Sequence, residues 1–249
     1  MDQVNVTGMV LSATPIGEYD RRVVILTKEY GKIAAFARGA RRPNSSLVGV
    51  TSPFTFGKFT LYQGRNSYTL QGAEVENYFG ELRTDITGAY YGLYFLEFAS
   101  FCTRESNDER EVLKLLYQSL KALTNQHIQD KLVRYVFELK MYYIMGIGPE
   151  VRRCLSCGSD EGNMYFSPSK GGILCGRCTG GVIDKIPVHN STLYTLQYIQ
   201  GSTIQKLYTF TVNDEVLNQL QTISDRYRFI HIDKEFNSLE ILDTLETIY

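Results

Sequence analysis

The chain has 249 residues, of which 43% are hydrophobic and 21% charged, a composition typical of soluble globular proteins. Its net charge of −1 excludes a protein that is basic throughout. No apolar run reaches the roughly eighteen residues of a transmembrane helix, and no basic amino-terminal segment precedes an apolar one as in a secretory signal. We therefore expect a cytoplasmic protein of two or three modules, whose five cysteines are reduced thiols or metal ligands rather than disulfides.

Residues 4 to about 76 show the pattern of short β-strands separated by turns. After a first strand near Val4–Val10, further strands are predicted at 22–27, 32–37, 53–62 and 68–71. A bulge at Gly57 would place Phe54, Phe56, Phe59 and Leu61 on one face. Five strands in about 75 residues predict a five-stranded OB-type β-barrel, although this periodicity is shared with other small barrels.

The positive charge of the chain is concentrated in this β region. From Arg21 to Arg65 there are nine basic residues and a single acid, Glu29, so the segment carries a net charge of +8. The densest part is the run FARGARRPNSS from Phe36 to Ser46, with three arginines. A basic module on an otherwise acidic chain indicates a polyanionic partner for that module.

Beyond residue 80 the apolar spacing changes to that of helices. Helices are predicted at 90–102, from Asp108 to about 123, from Asp130 to a stop at Gly146, and at 191–199, 213–227 and 236–248. The fold class is therefore α+β and multidomain: an OB-type barrel domain at 1–80 followed by an all-helical domain at 81–249.

Four of the five cysteines form two CxxC pairs, Cys154 with Cys157 and Cys175 with Cys178. Two such pairs at this spacing are typical of a four-thiolate zinc site, because each CxxC turn directs two sulfurs to one ion. Four protein ligands leave no open position for a substrate, so the ion would be structural. We expect one Zn²⁺ per chain in a four-cysteine zinc knuckle, inserted in the helical domain at about 150–185.

Motifs that mark enzymes are missing from the sequence. It has no GxxxxGK[ST] phosphate loop, no GxGxxG after a strand and no HExxH pair. The three histidines are scattered and none pairs with a nucleophile. We therefore expect no catalytic residues and no enzymatic activity.

The order of parts, and above all the stretch GEYDRRVVILTKEYGKIAAFARGARRPNSSLVGVTSPFTFGKFTLYQGRNSYTL at 17–70, resembles the bacterial RecO family of recombination mediators. The ending RFIHIDKEFNSLEIL at 228–242 is also similar to that family. The resemblance implies an OB fold, a helical domain with a zinc knuckle, and a DNA repair protein located in the cytoplasm at the nucleoid. It further implies binding of single- and double-stranded DNA, annealing of complementary strands, and loading of RecA onto strands coated by single-stranded-DNA-binding protein (SSB).

The resemblance also suggests partners and contact residues. The partners would be DNA, RecR and the acidic carboxy-terminal tail of SSB, with a functional link to RecA. We expect the tail to dock on the helical domain, where apolar helices lie near basic residues such as Arg134 and Lys140. The candidate DNA-contacting residues are the basic side chains of the barrel: Arg21, Arg22, Lys32, Arg38, Arg41, Arg42, Lys58 and Arg65.

Two functional classes stay open on the sequence alone. The first is a non-catalytic DNA-binding mediator. The second is a zinc-containing scaffold whose basic barrel docks an acidic protein. Base preference, oligomeric state and stoichiometry with partners cannot be predicted from the sequence.

Overall fold

The structure, a computed structural model, describes residues 2–65 and 67–248. Five strands form the amino-terminal β region: β1 (Asp2–Ile16), β2 (Asp20–Thr27), β3 (Gly31–Ala37), β4 (Phe56–Gln63) and β5 (Tyr68–Asn77). They close into a barrel of strand order β1-β2-β3-β5-β4, in which β1 pairs with both β2 and β4 and the β3–β5 pairing is parallel. This closed five-stranded order confirms the predicted OB-type barrel.

Alternating residues along the strands build the barrel core. Val23, Ile25, Ile33, Phe59 and Leu61 are almost fully buried inside it. The bulge at Gly57 is confirmed, since the β4–β5 register shifts between Phe56 and Gly57.

The prediction that four residues around this bulge share one face holds only for Phe59 and Leu61, because the other two rings leave the barrel. Phe56 packs edge-on against Tyr117 at a centroid distance of 4.7 Å. Phe54 packs against Gly92, where a Cβ would lie 2.9 Å from its ring. The end of the barrel is therefore covered by helices rather than by its own aromatic residues.

The described helices are α1 (Leu47–Val50), α2 (Ile86–Cys102), α3 (Arg110–Leu123), α4 (Asp130–Ile144), α5 (Asn190–Gly201), α6 (Asp214–His231) and α7 (Asn237–Ile248). Helix α2 is apolar on most sides and buries Tyr94, Phe95 and Phe98. Among the described residues, no helix combines the length and the apolar character needed to cross a membrane.

The chain forms two compact units. Unit 1 consists of residues 1–124 and 236–249, and unit 2 of residues 125–235. Unit 1 holds the barrel with α2, α3 and α7, and unit 2 holds α4, α5 and α6. The predicted domain boundary near residue 80 stays a prediction, and the helices that the sequence assigns to one domain are divided between the two units.

Unit 2 also contains a small antiparallel sheet that the helical pattern does not predict. Its strands are β6 (Met164–Ser167), β7 (Gly172–Cys175) and β8 (Ile186–Val188), in the order β7-β6-β8. The strands have only three or four residues, which is too few for a period of two to stand out from its surroundings. This sheet supports the segment that carries the cysteines.

A buried ion network joins α4 to α6 within unit 2. The Arg134 guanidinium donates to Glu138 at 2.9 Å and to Asp225 at 2.6 Å, and the Ser224 hydroxyl donates to the second oxygen of Glu138. Arg134 and Glu138 are 4% and 0% exposed, so each charge depends on its partner for compensation.

Candidate nucleic-acid interface and cysteine cluster

The arginine-rich loop after β3 is held in place by the turn between β1 and β2. The Asp20 carboxylate accepts a hydrogen bond from the Gly39 backbone N–H at 2.7 Å. The Arg41 backbone N–H donates to the Tyr19 carbonyl at 2.8 Å. These bonds satisfy backbone groups of both loops, so the side chains of the arginine-rich loop are left to project outward.

Three of those side chains, Arg38, Arg41 and Arg42, are exposed. The Arg41 guanidinium makes one hydrogen bond of 3.3 Å to the Gly17 carbonyl, and that of Arg42 lies 5.2 Å from the centre of the Tyr19 ring. A concavity of about 470 Å³ is lined by Arg38, Gly39, Arg42, Pro43, Asn44 and Ser45. The loop thus presents two guanidinium groups, those of Arg38 and Arg42, on the wall of this concavity.

Arg22 lies on the outer face of β2, next to this loop. Its cross-strand partners are Thr14 on β1 and Phe36 on β3, and all three side chains are exposed. Phe36 is 40% exposed, an unusual placement for an aromatic residue in a short barrel strand. In single-strand-binding proteins in general, guanidinium groups contact phosphates and exposed rings stack on bases, so this pair has the chemistry of such a surface.

A groove of about 430 Å³ continues from Arg22 along the β2–β3 face toward the end of α2. Lys32 and Arg104 line this groove. The Lys32 ammonium donates to the Ser100 carbonyl, and its burial, together with the nearby Arg104 charge, lowers the pKa of Lys32. Lys32 therefore gives the groove positive potential while its ammonium is bonded inside the protein.

The remaining predicted residues are distributed differently. Arg21 donates to the Thr51 hydroxyl at 2.7 Å and closes the barrel end rather than projecting from it. Lys58 is exposed on β4, opposite Glu74 of β5, and Arg65 is exposed in the β4–β5 turn. The structure thus brings together Arg22, Arg38, Arg41 and Arg42, with Lys32 in the adjoining groove, and does not bring Lys58 to that face.

Residues that the sequence analysis did not place at this face are Tyr19, Phe36 and Arg104. The placement of Tyr19 could have been predicted, because this residue lies in the β1–β2 turn. The alternation of residues along β3 likewise predicts that Phe36 lies on the outer face of the barrel. Arg104 gives no comparable signal, because only the packing of α2 against the barrel brings it to the groove.

The four cysteines of the CxxC pairs are gathered in unit 2, with their sulfur atoms within 4.8 Å of one another. The Cys157 and Cys175 sulfurs are 3.6 Å apart. A tetrahedral site with metal–sulfur bonds of about 2.3 Å separates its sulfurs by about 3.8 Å. The arrangement is therefore compatible with a site for one metal ion, including zinc.

Local backbone geometry explains how the first pair comes together. The Gly158 N–H donates to the Cys154 carbonyl at 2.9 Å, which closes the CxxC turn. Gly158 has a φ of +73°, a conformation that suits glycine, so the turn can reverse directly after Cys157. Cys175 ends β7, and a short 3-10 turn from Gly176 to Cys178 presents the second pair.

Electrostatics within the cluster favour a bound cation. Burial opposes ionisation of Cys154, yet hydrogen bonds from the backbone N–H groups of Cys157 and Cys175 lower the pKa of its thiol to about 6. The Ser156 hydroxyl lowers the pKa of Cys178, but the neighbouring Cys157 and Cys175 outweigh it and raise that pKa to about 12. Four thiolates this close repel one another, so all four ionise together only around a positive ion.

These features define the class of the protein. It combines an OB-type barrel that has a basic loop with a helical unit in which four cysteine sulfurs lie close enough to hold one metal ion. Family models described as "Recombination protein O N terminal" and "Recombination protein O C terminal" match residues 1–79 and 83–240. The chain therefore belongs to the RecO family of DNA repair proteins.

Individual relatives match the chain over nearly all its length. It is similar to the DNA repair protein RecO of Acetivibrio thermocellus, with 31% identity over 249 residues that cover 100% of this chain and 99% of the relative. The RecO protein of Alkaliphilus metalliredigens is 32% identical over 240 residues, covering 96% and 98%. That of Bacillus subtilis is 29% identical over 241 residues, covering 97% and 94%.

Proposed function

We propose that this chain is a non-catalytic recombination mediator that acts on DNA in the cytoplasm, at the nucleoid. In this proposal it binds single- and double-stranded DNA, anneals complementary strands and, with RecR, helps to load RecA onto SSB-coated single strands. Membership of the RecO family supports the role in DNA repair. The observation that carries the proposal is the fixed loop that presents Arg38, Arg41 and Arg42 beside the β2–β3 face of an OB-type barrel.

The physical basis is contact with phosphates. Guanidinium groups bind phosphate oxygens through paired N–H donors, and the loop offers three of them on a backbone that is hydrogen-bonded to the β1–β2 turn. Arg22 and the exposed Phe36 ring extend the same surface along β2 and β3, the face on which OB folds bind oligonucleotides. Contacts of this kind carry no base information, so the proposed binding is independent of sequence.

Annealing follows from the same contacts. Two complementary strands repel each other through their phosphates, and a protein that neutralises part of this charge lowers the barrier to their encounter. The base edges stay available for pairing, because the proposed contacts are to phosphates and to the flat face of a base rather than to Watson–Crick positions. This mechanism requires no chemical step.

We further propose that the four-cysteine cluster holds one structural Zn²⁺ through Cys154, Cys157, Cys175 and Cys178. All four positions of a tetrahedral ion would be taken by protein sulfur, so the ion would neither bind nor activate a substrate. Its role would be to hold together the segment from Cys154 to Cys178, and its binding energy would contribute to the folding of that segment.

The proposed protein partners are RecR and the SSB tail, and the helical part of the chain is the expected site for the tail. Two of the cations that the sequence suggests for this role are bonded internally. Arg134 belongs to the buried network with Glu138 and Asp225. The Lys140 ammonium donates to the carbonyls of Ile199, Gln200 and Ser202 at the end of α5, the shortest contact being 2.7 Å to Ser202. The two residues therefore act within unit 2, and the tail would have to use other cations.

A strand-annealing assay tests the proposed function. Complementary fluorescent oligonucleotides, bare or coated with SSB, are mixed with the full-length zinc-loaded protein, and duplex formation is followed over time. The expected result is faster annealing of both substrates, with binding that weakens as salt rises. Salt-dependent DNA binding without any acceleration would reject the mediator proposal and favour the scaffold whose barrel docks an acidic protein.

A further inference from the structure

Unit 2 contains a second basic and aromatic concavity that the proposed function does not use. Its volume is about 590 Å³, and it is lined by Arg152, Arg153, Asp160, Tyr194, Gln197 and Tyr198. Tyr194, Gln197 and Tyr198 share one face of α5, since they are separated by three and four residues. The two arginines come from the segment directly before Cys154.

One side of this cavity is rigidly built. The Gln197 side-chain amide donates to the Val151 carbonyl at 2.9 Å, which ties α5 to the arginine segment. The Arg152 guanidinium donates to the Gln200 side chain at 2.9 Å. A terminal nitrogen of Arg152 lies 3.0 Å from the position that a Cβ would take at residue 201. Because residue 201 is a glycine, the Arg152 guanidinium fits at this position. Arg152 is thus oriented by contacts of its own.

Two other side chains that line the cavity make no hydrogen bond, ion pair or ring contact within the part of the chain that the structure describes. Arg153 is exposed and forms no hydrogen bond or ion pair there, and Tyr194 is 70% exposed with no ring or hydrogen-bond partner. By contrast, the Tyr198 hydroxyl donates to the Lys206 carbonyl at 2.9 Å. The cavity therefore combines a fixed frame with one guanidinium and one aromatic face that are available to a ligand.

We propose that this cavity is a second nucleic-acid-binding site, which takes a nucleotide of a single strand with its phosphate on Arg153 and its base stacked on Tyr194. Stacking on an exposed aromatic face and a guanidinium contact are the two elements by which proteins bind single strands without sequence preference. The Asp160 carboxylate on the cavity wall repels a ligand with several negative charges, such as an acidic peptide, more strongly than a nucleotide whose single phosphate charge lies on Arg153. The site lies in unit 2, so it goes beyond the barrel surface of the proposed function.

Photocrosslinking tests this site directly. Full-length zinc-loaded protein is irradiated with a single-stranded oligonucleotide of about 16 nucleotides that carries 5-iodouracil, and the crosslinked peptides are identified by mass spectrometry. The expected result is a crosslink at Tyr194 in addition to crosslinks in the barrel. Crosslinks confined to residues 2–77 would overturn the second site and leave the proposed function standing, whereas no crosslink at any position would count against both.

Paired variants measure the contribution of the site. Arg153→Ala/Tyr194→Ala is compared with Lys170→Ala/Phe229→Ala, which also removes one exposed cation and one exposed ring from unit 2. Both pairs are placed in a protein whose barrel loop is already weakened by Arg41→Ala/Arg42→Ala. The first pair should lower affinity for the oligonucleotide at least about fivefold, as expected for the loss of a stacking ring. The control pair should leave the affinity unchanged.

The position of Arg153 next to Cys154 requires a further measurement. The zinc content of each variant is determined, and Tyr194→Ala alone, which leaves the cysteine segment intact, must show most of the loss. If the two pairs lose affinity equally, general charge and surface effects explain the result and the site is rejected. If a short acidic peptide protects Tyr194 from crosslinking and DNA does not, the cavity binds peptide and the proposal is also rejected.

Discussion

The barrel loop yields a quantitative prediction for DNA binding. Arg41→Ala/Arg42→Ala removes two guanidinium groups whose only described contacts are a 3.3 Å hydrogen bond to Gly17 and the approach to the Tyr19 ring. Each lost phosphate contact should reduce the slope of log K against log salt by about 0.7 on single strands, so the pair should reduce it by about 1.4. If the variant and the wild type bind equally at 1 M salt, this difference in slope makes the variant bind about 25-fold more weakly than the wild type at 0.1 M salt. At 0.2 M salt it binds about tenfold more weakly.

Fluorescence anisotropy of a labelled oligonucleotide over a range of salt concentrations measures both quantities. The matched control is Arg83→Ala/Lys121→Ala, which removes two exposed positive charges from elsewhere in unit 1. The loop variant should lose affinity equally for all base sequences, because phosphates carry no base information. The reasoning is refuted if the loop variant keeps the wild-type slope, or if the control variant loses as much as the loop variant.

Two further predictions concern unit 2. Cys175→Ser should reduce bound zinc below one equivalent per chain and destabilise the segment from Cys154 to Cys178. The control Cys102→Ser, in unit 1, should leave the zinc content unchanged. Metal analysis of the purified proteins measures both, and a Cys175→Ser variant that keeps one equivalent of zinc would contradict the proposed site. Glu138→Ala should lower the free energy of unfolding of unit 2 by about 3–5 kcal/mol, because it leaves the buried Arg134 charge poorly compensated. Urea unfolding followed by circular dichroism measures this loss, and Asp225→Ala, at a site that is 36% exposed, should cost clearly less; equal costs would contradict the buried-charge argument.

Local sequence patterns predicted the elements of unit 1 well. The alternation of residues along β2 and β3 and the glycine at the β4 bulge are local signals, and the barrel that they indicate is present. The rings of Phe54 and Phe56 could not be placed in this way, because their positions depend on packing against α2 and α3, which lie far away in sequence. The small sheet of unit 2 was missed because strands of three or four residues carry too little periodicity.

The two candidate sites differ in how far the sequence determines them. The cysteine cluster could be predicted because its chemistry depends on spacing along the chain, and the four sulfurs do come together. The basic side chains of the barrel could only be collected by charge. Whether a cation projects outward, as Arg42 does, or bonds internally, as Arg21 and Lys32 do, depends on which neighbours the fold supplies.

The division of unit 1 into two stretches of chain has a consequence for the order in which the protein can fold. Residues 236–248 are synthesised after the whole of unit 2, yet Phe236 packs against Tyr94, Phe98 and Phe101 of α2, and the Ser238 hydroxyl donates to Glu97 at 2.7 Å. Until they emerge, the nascent unit 1 exposes an aromatic surface of α2 that would attract chaperones or other chains. Unit 2, as one continuous stretch of 125–235, can complete its own core earlier. A nascent chain cut after residue 235 should therefore contain a protease-resistant unit 2 beside a protease-sensitive α2.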